Sequence, residues 1–239
     1  MSSISPPQLH RDFDPKVQPV VPVVALPPVP PGVLTLEGLR EAFREPVPWQ
    51  VEPLFIESFS AERVASSSAR HAAVLMPFVQ RAGGVSMLFT RRSEQLHHHA
   101  GQVSFPGGCI EPDDTGVVAA ALRETREEIG VERRFVHVLG TQPTLLTTTG
   151  FLMTPVVAEL LPGFQVEPEG DEVAEVFEVP LSVLMDPGRY ELRQLRTQWG
   201  HGRYFFAIPW DSHFIWGATA VLLRNLYHFL AASFSARMR

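Results

Sequence analysis

The chain has 239 residues, of which 45% are hydrophobic and 19% are charged, and this balance excludes a chain that is disordered throughout. A chain of this length folds as one or two domains and needs no disulfide or structural metal to do so. The net charge of −6 argues against a general nucleic-acid binder and against a basic membrane-surface protein. The only cysteine, Cys109, excludes an internal disulfide framework and fits a reducing compartment, so we expect a cytoplasmic protein.

Residues 1–33 are rich in proline, which predicts an N-terminal arm that is extended and partly disordered. Closely spaced prolines interrupt its apolar stretch, Val20 to Val33, which therefore suits neither a signal sequence nor a membrane span. No run of 18 apolar residues occurs elsewhere, so we expect no membrane helix.

The remaining residues alternate between helical and extended patterns. Periodicity predicts helices at 36–45, 115–129 and 216–232, and strands at 72–79, 86–90, 135–139, 155–161, 173–179 and 204–208. Asp113 and Asp114 are candidate N-caps of the second helix, and Gly130 is a candidate terminator. The pattern predicts a mixed α/β (α+β) fold in which helices flank a mixed sheet.

Acidic residues cluster near the end of the second predicted helix. A rotation of about 100° per residue places Glu124, Glu127 and Glu128 in one sector of the helix, and three carboxylates there suit a hard divalent cation. Like charges at these spacings cost about 0.2–0.5 kcal/mol per pair, which Arg123 offsets in part through Glu127. The alternative is a solvated charged face, in which Arg123 and Arg126 accompany the acids.

Two glycines, Gly107 and Gly108, precede this helix. Paired glycines let backbone amides and carbonyls approach a metal or a phosphate with no Cβ in the way. The sequence therefore predicts a loop that carries the glycines, followed by a helix that carries the carboxylates.

The stretch from Gly108 to Val131 resembles the Nudix box of the Nudix hydrolases. The residues that match the box are Gly108, Arg123, Glu124, Glu127, Glu128, Gly130 and Val131. The spacing from Gly108 to Arg123 is one residue longer than in the general box, the acid between them is Asp113 or Asp114 instead of Glu, and Thr125 replaces an aliphatic residue. The resemblance implies a Nudix fold, with a mixed β-sheet sandwiched between α-helices, as a single domain over residues 34–239.

The longer spacing resembles the coenzyme A diphosphatase branch of this family. That branch carries a second, upstream signature, which is similar to residues 88–93 (Leu-Phe-Thr-Arg-Arg-Ser) and 101–108 (Gly-Gln-Val-Ser-Phe-Pro-Gly-Gly). Residues 171–181 and 215–220 are also similar to the branch, so the resemblance runs from about residue 72 to about residue 226. His97 stands where the branch usually has arginine.

The resemblance implies the hydrolysis of a nucleoside diphosphate linked to another moiety, with Mg²⁺ or Mn²⁺ as cofactor. The implied metal ligands are Glu124, Glu127, Glu128 and the Gly108 carbonyl, with Arg123 orienting a carboxylate. Glu172 is the first candidate for an acid that orients or deprotonates the attacking water, and Glu175 is the second. The implied contacts to substrate phosphate come from Arg92, Arg91, His97 and Gly107.

Coenzyme A or an acyl-CoA is the implied substrate, and phosphopantetheine and adenosine 3′,5′-bisphosphate are the implied products. One alternative is a Nudix diphosphatase that acts on ADP-ribose, NADH or nucleoside triphosphates. Another is a Nudix domain that senses a ligand without turnover, against which the intact acidic triplet argues. Nudix enzymes are often homodimers, so a second copy of the chain is an expected partner, whereas nucleic acid and membrane are not.

Overall fold

The structure is a computed structural model that describes residues 13–96, 99–195 and 203–237. In chain order its strands and α-helices are β1 (Val20–Val21), α1 (Leu36–Arg44), α2 (Ala61–Ser66), β2 (Arg70–Arg81), β3 (Gly84–Arg92), β4 (Val103–Ser104), β5 (Gly107–Cys109), α3 (Val117–Ile129), β6 (Val136–Thr141), β7 (Leu145–Leu146), β8 (Phe151–Leu160), β9 (Val173–Pro180), α4 (Leu181–Leu184), β10 (Glu191–Leu195), β11 (Arg203–Trp210), β12 (His213–Trp216) and α5 (Ala218–Arg237). Short 3₁₀ turns lie at Pro15–Val17, Pro31–Val33, Pro53–Phe59, Arg133–Phe135 and Pro187–Arg189.

Of the two sheets in the described residues, the larger is mixed and is built around β2. Strand β2 pairs antiparallel with β3 and β5 and parallel with β8, while β9 and β4 flank β3, and β6 and β7 pair with β8. Eight consecutive residues of β2 are buried, which is typical of a strand that is covered on both faces. The predicted mixed sheet between helices is confirmed.

The two faces of this sheet pack against different helices. Ala73 and Leu75 of β2 pack with the apolar side of α3, whereas Val74 and Met76 face a larger cluster that includes residues of α1, α4 and α5. Because side chains alternate along a strand, one strand serves both layers. Helix α3 is thereby fixed on one face of the sheet, near the last residues of β3.

A second sheet, which the sequence analysis missed, has the order β1-β10-β11-β12. Strand β10 is short, and β12 includes Trp216, which the sequence analysis placed in a helix from 216 to 232; that helix begins at Ala218 instead. Helix α5 is also buried on more than one side, so its residues do not form a single apolar face.

The described part of the N-terminal arm lies against this second sheet. Strand β1 pairs with β10, the Phe13 ring packs against Phe205 and Trp216, and Arg193 Nη1 donates to the Gln18 carbonyl at 2.8 Å. Val29 is buried in the main core. Residues 1–12 of the predicted arm lie outside the described residues.

Two local predictions around α3 are wrong. The glycines at 107 and 108 lie in strand β5, not in a loop, because their backbone pairs with Val74 and Ala73 of β2. The helix begins at Val117 and its N-cap is Gly116, not Asp113 or Asp114. Gly130 does end the helix in the left-handed conformation, with φ at 72°.

No helix in the described ranges has the length and apolar character that a membrane crossing requires.

A buried ion pair joins the segment before α2 to α5. The side chains of Glu52 and Arg224 are 4% and 3% exposed, with Arg224 Nε donating to Glu52 Oε2 at 2.9 Å. His228 Nε2 lies 2.9 Å from the same oxygen. Burial alone would raise the pKa of Glu52, but hydrogen bonding to His228, the Arg224 charge and the Leu54 amide together hold that pKa below its ordinary value of 4.5.

We predict that Glu52→Gln lowers the free energy of unfolding by about 3–5 kcal/mol at pH 7, because Arg224 loses its buried counter-charge. The native pKa of Glu52 is depressed, so its contribution is complete above pH 4.5 and is lost as the pH falls through the native pKa. The difference between variant and wild type should therefore narrow on acidification. Urea denaturation at several pH values measures it.

Glu57→Gln is the matched control, since Glu57 pairs with Arg63 at the surface, and it should change the free energy of unfolding by less than about 0.5 kcal/mol. Equal effects of the two substitutions would contradict a structural role for the buried pair.

Candidate active site

Strand β5 and helix α3 approach each other closely at Gly107 and Gly108. A Cβ built on Gly108 would lie 2.5 Å from the Glu124 carboxyl carbon, which shows that the carboxylate occupies the space a side chain would need. A Cβ on Gly107 would lie 2.6 Å from the Val74 Cα, and the φ of Gly107 is +154°. A side chain at Gly107 would thus meet the backbone of β2, whereas one at Gly108 would meet the flexible carboxylate of Glu124.

Glu128 is the most buried acid of the cluster, with a side chain only 5% exposed. The Gly107 N–H donates to its Oε2 at 3.1 Å, and Arg92 Nη1 lies 3.8 Å from its Oε1. Burial raises the pKa of Glu128 to about 7; the Gly107 amide and Arg92 oppose this, and the charges of Glu124 and Glu172 add to it.

Arg123 binds the acids on the outer side of the helix. Its Nη1 donates to Glu124 at 3.0 Å and to Glu127 at 2.9 Å, while its Nη2 donates to Asp114 at 3.0 Å and to the Cys109 carbonyl at 3.0 Å. The planar guanidinium suits this arrangement, because it offers several donors in fixed directions. The sequence left open whether Asp113 or Asp114 stands at the acidic position of the Nudix box. Of these two aspartates, Asp114 is the one that contacts Arg123.

The pKa values around Arg123 follow from these contacts. Its hydrogen bond is the main cause that lowers the pKa of Asp114. The pKa of Glu124 is nevertheless raised, because burial outweighs the opposing effect of Arg123, and Glu127 and Glu172 add negative charge. Two neighbouring carboxylates, Glu124 and Glu128, are thus held where their charged forms are disfavoured.

The three predicted metal-ligating glutamates do not converge in this structure. Glu127 is half exposed and pairs with Arg123, and within the described ranges no group of three His, Cys, Asp or Glu side chains is arranged to hold a metal ion. The donor chemistry still fits a divalent cation at Glu124 and Glu128, because both offer carboxylate oxygens and the pKa of each is raised by burial and by neighbouring negative charge. A cation there would offset that negative charge.

Arg92 and Glu172 lie on the same side of the sheet as Glu128. The Nε of Arg92 is buried and has no hydrogen-bond partner among the described residues. The Ser93 N–H donates to the Glu172 carbonyl at 2.8 Å, so the end of β3 is tied to the residue just before β9. Glu172 itself is exposed, and its charge acts on both Glu124 and Glu128. The structure thus brings both predicted residues to the acidic cluster.

Arg91 is engaged by carboxylates. Its Nε donates to Glu175 at 2.9 Å, and its Nη1 lies 3.6 Å from Glu94. His97 lies outside the described residues, and neighbouring His99 is exposed, with Nδ1 2.8 Å from the Gln102 side chain. Arg91 and Glu175 therefore form a cross-strand pair, which the sequence analysis did not foresee.

His213 is a further residue near the site that was not predicted from the sequence. It lies at the start of β12, with Nε2 3.2 Å from Glu175 Oε1, and its ring stacks on Phe177 at a centroid distance of 3.6 Å. No sequence motif carries it, because its position depends on how the second sheet meets the first.

A family model described as the NUDIX domain matches residues 69–198. A protein of Citrobacter koseri named "Uncharacterized Nudix hydrolase NudL" is 42% identical over 158 residues, which are 66% of this chain and 81% of that protein. A protein of Cronobacter sakazakii with the same name is 40% identical over 163 residues, covering 68% and 83% of the two chains.

Solved structures show a partial likeness at low identity. An Ap4A hydrolase of C. elegans aligns at 21% identity and a TM-score of 0.41, covering 46% of this chain and 80% of that one. The NUDIX domain of Shewanella oneidensis NrtR, solved with ADP ribose, aligns at 20% identity and a TM-score of 0.39, covering 58% and 89%. This likeness says nothing about the substrate of the present chain.

The two glycines should respond differently to substitution by alanine. We predict that Gly107→Ala lowers the free energy of unfolding by about 1–3 kcal/mol, because the new Cβ meets the backbone of β2 and the positive φ is strained. Gly108→Ala should cost less stability, since it displaces only the flexible end of Glu124. Urea denaturation compares both with Gly83→Ala, a turn position with open space around it. If Gly107→Ala unfolded at the same urea concentration as Gly83→Ala, close packing of β5 against β2 would be contradicted.

Proposed function

The chain belongs to the Nudix hydrolase family, and from this premise we propose that it is a metal-dependent diphosphatase whose substrate is coenzyme A or an acyl-CoA. The products would be phosphopantetheine, or its acyl form, and adenosine 3′,5′-bisphosphate. Water would attack one phosphorus of the diphosphate, and the P–O bond to the bridging oxygen would break.

One observation carries the proposal: Arg92, from the upstream signature, lies 3.8 Å from Glu128 of the Nudix box. Arg92 and Glu128 are far apart in sequence but adjoin in space. The buried Nε of Arg92 has no partner within the described part of the chain, which leaves hydrogen-bonding capacity for an anionic ligand. A guanidinium beside an acidic cluster suits a substrate that brings both phosphate and a divalent cation.

Other residues of the upstream signature make contacts between β3 and the segment before Gly107. The Thr90 hydroxyl lies 3.0 Å from that of Ser104 across β3 and β4, and the Phe105 ring stacks on Phe89 at 4.9 Å between centroids. These contacts join β3 to the segment that leads into Gly107, and both rings are buried in the main core. The second signature would thus support the position of β5.

In the proposed mechanism, Glu124 and Glu128 would hold Mg²⁺ or Mn²⁺, with Glu127 and the Gly108 carbonyl as further candidate ligands. A bound divalent cation neutralises diphosphate charge and lowers the pKa of water. The Gly107 N–H holds the Glu128 carboxylate, and Arg123 holds that of Glu124.

Two further residues would act on the substrate and the water in this mechanism. Arg92 would bind the substrate diphosphate. Glu172 would orient the attacking water and accept its proton, since its charge already acts on the carboxylates of Glu124 and Glu128.

The proposal includes a cytoplasmic enzyme, in line with a single cysteine that is only half buried. It also includes a homodimer as the working assembly. The cytoplasmic location and the homodimer both follow from the family resemblance and not from a contact within this chain.

We predict that the purified protein hydrolyses CoA with Mg²⁺ or Mn²⁺ and that EDTA abolishes turnover. Glu128→Gln should lower kcat by about 100-fold or more, because it removes a charged carboxylate from the metal-binding cluster. Release of adenosine 3′,5′-bisphosphate is measured by chromatography, with ADP-ribose, NADH and a nucleoside triphosphate assayed in parallel.

Glu132→Gln is the matched control: Glu132 lies just beyond the end of α3, is exposed and pairs with Arg134, so activity should be unchanged. A preference for another member of the substrate panel would overturn the CoA assignment and keep the diphosphatase. Tight binding of one compound without turnover of any would favour a sensing domain.

A further inference from the structure

A chain of side-chain contacts that the proposed mechanism does not use joins β12 to β3. His213, Glu175 and Arg91 form a chain of contacts of 3.2 and 2.9 Å. Its first member lies outside residues 69–198, the range matched by the family model. The network lies on the sheet face opposite α3, because Arg91 and Arg92 are successive residues of one strand.

We propose that His213 is a positioning residue for the active site: through Glu175 it holds Arg91, and so fixes the strand ends that carry Arg92 and Glu172. The inference rests on the proposed function only for the roles of Arg92 and Glu172 in catalysis. It requires no contact between His213 and substrate.

The strand pairing explains why this point needs to be held. Arg91 pairs with Glu175, but the next residue, Arg92, pairs with Val173, so Ala174 is an extra residue on β9. Such a bulge interrupts the hydrogen-bond ladder and redirects the side chains on either side of it. Here the bulge falls between the Arg91–Glu175 pair and the segment that leads to Glu172. The ion pair therefore joins β3 to β9 beside a point where their backbone ladder is interrupted.

The surroundings of His213 concentrate its hydrogen bonding on Glu175. The side chain is 11% exposed, and its Nδ1 is buried without a partner among the described residues. Phe177 fixes the plane of the ring by stacking at an interplanar angle of 11°. An unsatisfied buried nitrogen costs free energy, so a purely structural position would be served better by phenylalanine.

Glu175 is held from both sides. The hydrogen bond from Arg91 is the main cause that lowers its pKa; burial opposes this, and the hydrogen bond to His213 adds to the lowering. Glu175 also faces Arg91 together with Glu94, so two carboxylates share one guanidinium. Because the charge of Arg91 is already neutralised by Glu94 and Glu175, its contacts favour a positioning role over the phosphate contact that was predicted from the sequence.

Two substitutions separate the hydrogen bond from the stacking. His213→Phe keeps a ring on Phe177 and removes the donor to Glu175, whereas His213→Gln keeps a donor of similar reach and removes the ring. We expect kcat for the diphosphate substrate to fall about tenfold in His213→Phe and to stay within about threefold of wild type in His213→Gln. KM should change little in either, because neither variant alters a substrate contact.

A double-mutant cycle tests the chain of contacts. Glu175→Gln should resemble His213→Phe, and the double variant should be no worse than the more impaired single variant. Effects that multiply would show that the two residues act independently and would overturn the proposal. Glu178→Gln is the matched control: Glu178 lies on the same strand β9, away from the bulge, and forms an ion pair with Arg81 of β2. The kcat of this variant should equal that of wild type.

Backbone hydrogen exchange provides a readout that does not depend on turnover. Amides of Arg92, Ser93 and Val173 should exchange about tenfold faster in His213→Phe than in wild type, and at the wild-type rate in His213→Gln. Unchanged exchange in His213→Phe would overturn the positioning role whatever the activity. A wild type that hydrolyses none of the substrates would instead overturn the proposed function, and the exchange data would still decide the role of His213.

Discussion

The site depends on one steric constraint, the absence of side chains at Gly107 and Gly108. Because Gly107 has no Cβ, β5 can lie directly against β2, and because Gly108 has none, the Glu124 carboxylate can lie against β5. The same contact brings the Gly107 amide to Glu128. A buried carboxylate would otherwise carry a large desolvation cost, and this backbone donor is part of what offsets it.

Arg123 organises the other half of the site. One guanidinium joins the loop before α3, through Asp114, to the Cys109 carbonyl of β5 and to two helix carboxylates. Its hydrogen bonds therefore hold strand β5 and helix α3 at a fixed separation. Its positive charge also reduces the repulsion among the acids that share one face of the helix. Lysine could not replace it, since an ammonium group has no planar set of donors.

The features of the fold that were predicted correctly are those that depend on interactions between residues close together in the sequence. Apolar periodicity located β2, β3, β8, β9 and α3, and the αL glycine that ends α3 was predicted from Gly130. The strand character of β5 was missed because it depends on pairing with β2, and the N-cap was missed because Asp114 binds Arg123 instead. In the second sheet, β10, β11 and β12 follow one another along the chain. Only the pairing with β1 and the contact of His213 with Glu175 join segments far apart in sequence, which no local pattern records.

The central claim is that the carboxylates beside Gly108 bind a divalent cation. A crystal structure with Mn²⁺, in which anomalous scattering locates the ion, tests it most directly. We expect a peak in contact with carboxylate oxygens of Glu124 and Glu128, with Arg123 still bound to Asp114. A Mn²⁺ peak elsewhere, or none at a concentration that supports turnover, would contradict it.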